Sequence, residues 1–153
     1  MSSELDEYTS ATKKLKLSFD NKENREFERD ASKSGLTLPF HKYEGPGNSV
    51  NLGEPTNVAD AISQLHDTEY FDAQHKYKSG QTSINEFNKA IRDSDTKALK
   101  SFAKTPSIGG VIGTVGLGVK KFVENFTNNP IYPNPGKSNL IWPNNQWIFL
   151  LLG

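Results

Sequence analysis

"NVADAISQLHDTEYFDAQHKY", residues 57–77, opens with helix-start chemistry and continues with a helical period. Pro55 stands just upstream, Asn57 is a natural N-cap, and Asp60 falls at the third helical position, where a carboxylate suits the helix dipole. The apolar positions are Ala59, Ile62, Tyr70, Ala73 and Tyr77. Adding His66 gives steps of 3, 4, 4, 3 and 4, an unbroken stripe of the kind that faces a core. His66 is therefore expected on the buried face, with Asp67 about 100° round the helix from it.

A second stretch, "SINEFNKAIRDSDTKALKSF" (residues 83–102), behaves the same way. Ser83 and Glu86 have capping-box spacing. The stripe Ile84, Phe87, Ile91, Ala98 and Phe102 has one gap, which Asp95 fills with steps of 3, 4, 4, 3 and 4. A buried carboxylate is costly unless paired, so Asp95 needs a partner, whereas Asp93 falls off the stripe and is expected in solvent. Folding the two helices as an antiparallel hairpin about "KSGQTS" (78–83) puts His66 and Asp95 equally far from the turn's midpoint, between Gly80 and Gln81. They then meet at one height on facing stripes. By itself His66 reads as a satisfied core histidine. Opposite Asp95 it reads as a base, because a carboxylate on one ring nitrogen fixes the tautomer and leaves the other nitrogen to take a proton. Tyr70, one turn from His66, is placed to donate its hydroxyl to the same carboxylate.

The 153 residues are enough for one domain with a core but not for two large ones. Eighteen basic and eighteen acidic side chains cancel, which gives no electrostatic case for nucleic-acid binding by the whole chain. Cysteine is absent, excluding disulfides, a thiol nucleophile and a thiolate metal site. The N-terminus is too polar for a signal peptide or a transmembrane segment.

Residues 1–34 are expected to be a flexible or weakly helical polar segment, with Lys13, Lys14 and Lys16 as a solvated run. Residues 35–105 form the expected domain, opening with the Gly/Pro-punctuated loop "GLTLPFHKYEGPGNSVNLG" (35–53). Residues 106–153 are expected to be a connector and an irregular tail. Within them "GGVIGTVGLG" (109–118) lacks the Lys-Ser/Thr of a phosphate loop and is too short to span a bilayer. The apolar ending "WIFLLLG" (147–153) suggests a chain cut from something longer.

Taken alone, "YEGPGN" (43–48) reads as a plain turn. Its glycines also permit a backbone that turns several carbonyls to one point, and hard cations such as calcium bind carbonyls together with carboxylates. The loop lacks EF-hand acidic spacing, so a cation there would draw on Asp67.

"LPFHKYEGPGN" (38–48) followed by "LGEPTNVADAISQLHDTEY" (52–70) resembles the phospholipase A2 domain in the N-terminal extension of parvovirus minor capsid proteins, densovirus proteins included. The likeness covers about residues 36–104: a Tyr-x-Gly-Pro-Gly-Asn calcium loop, a Gly-x-Pro turn, an Asn-x-x-Asp helix start and His-Asp-x-x-Tyr. It implies a mainly α fold, a small phospholipase A2-like domain with two antiparallel core helices, a calcium-binding loop, no disulfides and flexible ends. It further implies that carbonyls of Tyr43, Gly45 and Gly47 and the carboxylate of Asp67 hold calcium. His66 would be the base, Asp95 its orienting partner and Tyr70 a supporting hydroxyl. The sequence departs from the pattern at Glu44, where an apolar residue is usual.

The implied activity is calcium-dependent hydrolysis of the sn-2 ester of glycerophospholipids. Its place would be a virion, acting on the host endosomal membrane during entry, with a phospholipid surface and capsid proteins as partners and no nucleic acid. Leu36, Leu38 and Phe40, beside the loop, serve either interfacial contact or core packing. A different class of reading is an inactive structural extension of a capsid protein, or a truncated endogenous viral copy. A zinc site of His66, Asp67 and His75 is disfavoured, because His75 lies about 180° from His66 on the same helix. His41 and His75 are expected at the surface.

Overall fold

The structure, a computed structural model, describes residues 2–30 and 53–127. These residues form five helices and no strand: α1 (Ser2–Leu17), α2 (Asn21–Asp30), α3 (Val58–Lys78), α4 (Ile84–Ala103) and α5 (Ile108–Thr127). Helix α3 starts where its sequence signals stand. Asn57 is its N-cap, with a side-chain oxygen accepting from the Asp60 amide at 3.0 Å. Asp60, fully buried, accepts in turn from the Thr56 amide at 2.9 Å. Helix α4 begins with a complete capping box: the Glu86 amide donates to Ser83 Oγ, and the Ser83 amide to Glu86 Oε2.

Helices α3 and α4 pack as an antiparallel hairpin through the turn at Gly80, whose φ of 77° favours glycine. Near the turn Tyr70, Ala73, Phe87 and Ile91 form one apolar cluster, with Tyr77 against it. At the far end Ala59, Ile62, Ala98, Phe102 and Leu117 form another. Between the clusters lie His66 and Asp95, both buried.

The polar N-terminal segment, expected to be flexible or weakly helical, is α1 and α2. Several of its few apolar side chains pack on α3: Tyr8 on the far cluster, and Phe19 and Phe27 against Phe71, with ring centroids 6.0 and 5.2 Å from it. The glycine-rich stretch, expected as a connector, is α5, lying antiparallel on α4. A Cβ built on Gly113 would come within 2.6 Å of the Phe102 ring, so glycine there lets the two helices approach closely. Helix α3 is thus covered by α1, α4 and α5, and its buried set extends beyond one apolar stripe to Ser63, Gln64, Asp67 and Thr68. Among the described residues no helix is long and apolar enough to cross a membrane.

Candidate active site

Three helices converge on the Asp95 carboxylate. From α3, His66 Nε2 lies 2.9 Å from Asp95 Oδ1, and the Tyr70 hydroxyl donates to the same oxygen at 2.5 Å. From α5, Lys120 Nζ donates to Asp95 Oδ2 and also to the Tyr70 oxygen, the latter at 2.9 Å. Asp95 is wholly buried and Lys120 nearly so. Burying an isolated carboxylate is prohibitive, and here both oxygens have partners, His66 and Tyr70 at Oδ1 and Lys120 at Oδ2. The His66 and Tyr70 rings lie 4.4 Å apart, which locks the imidazole from its flank.

Burial pushes the Asp95 carboxyl up, but the His66 bond and charge and the nearby Lys120 outweigh it and hold Asp95 below its ordinary value. For His66, burial opposes the charged ring. The bonds and charges of Asp67 and Asp95 overcome that and raise it to about 9. An Nε2–H donated to Asp95 leaves Nδ1 as the second ring position, and Nδ1 faces Asp67 Oδ1 at 3.6 Å. The two carboxylates therefore address opposite nitrogens of one ring. Asp67, 6% exposed, is a hard oxygen donor of the type calcium prefers. One turn before it on α3, the Gln64 amide donates to the Gly53 carbonyl at 3.2 Å and ties the residue that closes the loop segment to this helix. Gly53 has a φ of 87°, which favours glycine.

Next to the centre Glu69 accepts from Ser94 and from Lys97, at 2.6 and 2.5 Å, and pins the register of α3 on α4. Asp93 is exposed and pairs with Lys89. The structure brings His66, Asp67, Tyr70 and Asp95 together. Tyr43, Gly45 and Gly47 lie outside the described residues, as do Leu36, Leu38, Phe40, His41 and Glu44. His75 is not at the surface. It is buried, with Nδ1 at 2.9 Å from Glu26 on α2, because α2 covers that face of α3. It shares no site with His66. A groove of about 700 Å³ between α1, α3 and α4, lined by Leu15, Leu65, Ala73 and Phe87 among others, includes neither His66 nor Asp95.

Lys120 is the residue that sequence reasoning missed. A signal for it exists: Gly110, Gly113, Leu117 and Lys120 follow one another at steps of 3, 4 and 3, a helical stripe that begins with two glycines, and all four are buried.

The sequence profile of the phospholipase A2-like domain matches residues 34–120, so its far limit is Lys120 itself. Capsid protein VP1 of Diatraea saccharalis densovirus is 38% identical over 77% of the chain. VP1 of porcine parvovirus (strain NADL-2) is 45% identical over 52% of it, and the minor capsid protein VP1 of primate bocaparvovirus 1 is 39% identical over 58%. The matched part spans 15%, 10% and 12% of those proteins' own lengths. No solved structure matches the chain. With the profile covering more than half of its residues, the chain belongs to the phospholipase A2-like domain family.

Proposed function

We propose that this chain is a calcium-dependent phospholipase A2 that uses His66 to activate water against the sn-2 ester of glycerophospholipids. The observation that carries the reading is the buried His66–Asp95 contact at 2.9 Å, with the second ring nitrogen turned toward Asp67. With the Asp67 carboxylate engaged by calcium, its pull on the ring would be lost, and the neutral His66 Nδ1 takes a proton from water as the water oxygen attacks the ester carbonyl carbon. Asp95 stabilises the imidazolium through Nε2–H, and Tyr70 and Lys120 hold the Asp95 carboxylate in place. When the intermediate collapses, His66 returns the proton to the leaving sn-2 oxygen, and fatty acid and lysophospholipid result. Water is the nucleophile, so the chemistry needs neither a cysteine nor an activated serine.

Asp67 and the carbonyls of Tyr43, Gly45 and Gly47 would hold calcium, and their all-oxygen chemistry suits it. Calcium, when bound, supplies a Lewis acid for the lipid phosphate and for the developing oxyanion. Since these relatives are capsid proteins, we assign the domain to a capsid-protein extension in a virion, acting at a phospholipid surface of the host endosome.

The deciding experiment is release of fatty acid from phospholipid vesicles in calcium and in chelator, with wild-type protein and His66→Asn. Calcium-dependent release that His66→Asn abolishes, while helical circular dichroism stays unchanged, supports the mechanism. Release by His66→Asn at the wild-type rate would end it. No release by folded wild-type protein in calcium leaves the inactive structural extension as the better reading.

A further inference from the structure

On the side of α3 away from Asp95, a second group of ionisable side chains closes the α2–α3 contact. Asp20 caps α2 with Oδ1, which accepts from the amides of Lys22 and Glu23, both at 2.8 Å. That leaves Oδ2 turned toward His75 Nε2 at 3.6 Å. The other nitrogen of His75, Nδ1, is engaged by Glu26 Oε2 at 2.9 Å. A carboxylate behind one imidazole nitrogen fixes the ring and makes the opposite nitrogen a better metal donor.

Glu23 completes the group. It is 3% exposed, yet its Oε1 is buried without a hydrogen-bond partner. Asp72 Oδ1, on α3, is likewise buried without one, while Asp72 Oδ2 accepts from Lys76 at 2.7 Å. Ligand atoms of Asp20, Glu23 and His75 lie within 4.8 Å of one another. Asp72 lies within hydrogen-bonding reach of Glu23. The buried oxygens Glu23 Oε1 and Asp72 Oδ1 both lack a donor, which a proton or a metal ion would supply. The imidazole nitrogen poised beside them at ligand spacing favours the metal.

We propose that Asp20, Glu23 and His75 bind one divalent cation of the zinc type, with Asp72 beside it, and that this ion clips α2 onto α3. The mixed nitrogen and oxygen donors suit zinc or a neighbouring transition metal better than calcium, which takes oxygen ligands in larger number. The Asp20 side chain, 53% exposed, gives the ion access from solvent and room for a water ligand. The site is separate from the His66 centre and does not depend on the proposed lipid hydrolysis.

The full chain, stripped with chelator, is titrated with zinc chloride in saturating calcium by isothermal titration calorimetry. Cobalt(II) visible absorption is recorded in parallel to report nitrogen ligation. Wild-type protein should bind one zinc per chain. Asp20→Asn, which keeps the capping oxygen and lies at the surface, should abolish stoichiometric binding. Glu26→Gln, which touches only the far side of the ring, should weaken it about 10–100-fold. Absence of stoichiometric zinc on the wild-type chain overturns the site, as does wild-type affinity in Asp20→Asn. Loss of zinc in Asp67→Asn with retention in Asp20→Asn would place the ion at the calcium loop and overturn it too.

Discussion

Replacing Lys120 by methionine keeps most of the side chain's volume and removes the cation that Asp95 meets on α5. Asp95 is wholly buried, and among the described residues Lys120 is its partner at Oδ2; His66 and Tyr70 both address Oδ1. Removing one member of a buried ion pair costs about 3–5 kcal/mol because the remaining charge is stranded. Here His66, whose charged form is already favoured, retains part of the compensation, which puts the expected loss near the lower end, about 3 kcal/mol. Against a typical stability of about 5–15 kcal/mol the variant still folds. Urea unfolding followed by helical circular dichroism should show a midpoint lowered by about 1–3 M, using slopes of ~1–3 kcal/mol per M. Adding Asp95→Asn to Lys120→Met should restore much of the loss, because the neutral amide no longer needs the cation. A loss under about 1 kcal/mol for Lys120→Met would refute the pairing argument, as would a double variant weaker than the sum of its single changes.

Glycine spacing on α5 makes a paired prediction. Gly113→Ala should destabilise by about 1–3 kcal/mol through its 2.6 Å approach to Phe102, whereas Gly118→Ala, with nothing within 4 Å, should stabilise by up to ~1 kcal/mol. Equal thermal midpoints for the two would contradict the close packing of α5 on α4. In vesicle hydrolysis, Asp95→Asn should lower the rate by at least about 100-fold and Asp93→Asn should leave it unchanged; the reverse order would discard the assigned partner of His66. Stability in chelator should also depend on pH through the buried pair. The Asp95 contribution is present above its ordinary 3.8 and lost as pH falls through its lower folded value. The His66 contribution is full below 6.5 and lost as pH rises through about 9. Urea midpoints of wild-type protein relative to His66→Asn should therefore narrow between pH 6.5 and 9, and a constant difference across that range would reject the charged-pair account.

The hairpin was legible because its polar exceptions obey its period. His66 and Asp95 each complete an apolar stripe, and the capping residues Asn57 and Ser83 fix where the stripes begin, so the meeting of the two side chains follows from counting. Helix α5 was hidden for a physical reason: glycine disfavours isolated helices by about 1 kcal/mol each, and its compensation, the approach to Phe102, exists only in three dimensions. The N-terminal helices were obscured by their polar composition, since only a few aromatic and aliphatic side chains, such as Tyr8, Phe19 and Phe27, carry their contacts to α3. His75 was misplaced for the same cause: a position off the stripe is solvent-facing only if no other helix covers it.

Because the cation of the central network sits on the last described helix, the order of synthesis matters. A ribosome that has released residues as far as Ala103 has delivered the whole hairpin with its Asp95 carboxylate only partly compensated. The lysine that completes it emerges seventeen residues later. The centre therefore closes only after α5 has followed the hairpin out of the ribosome.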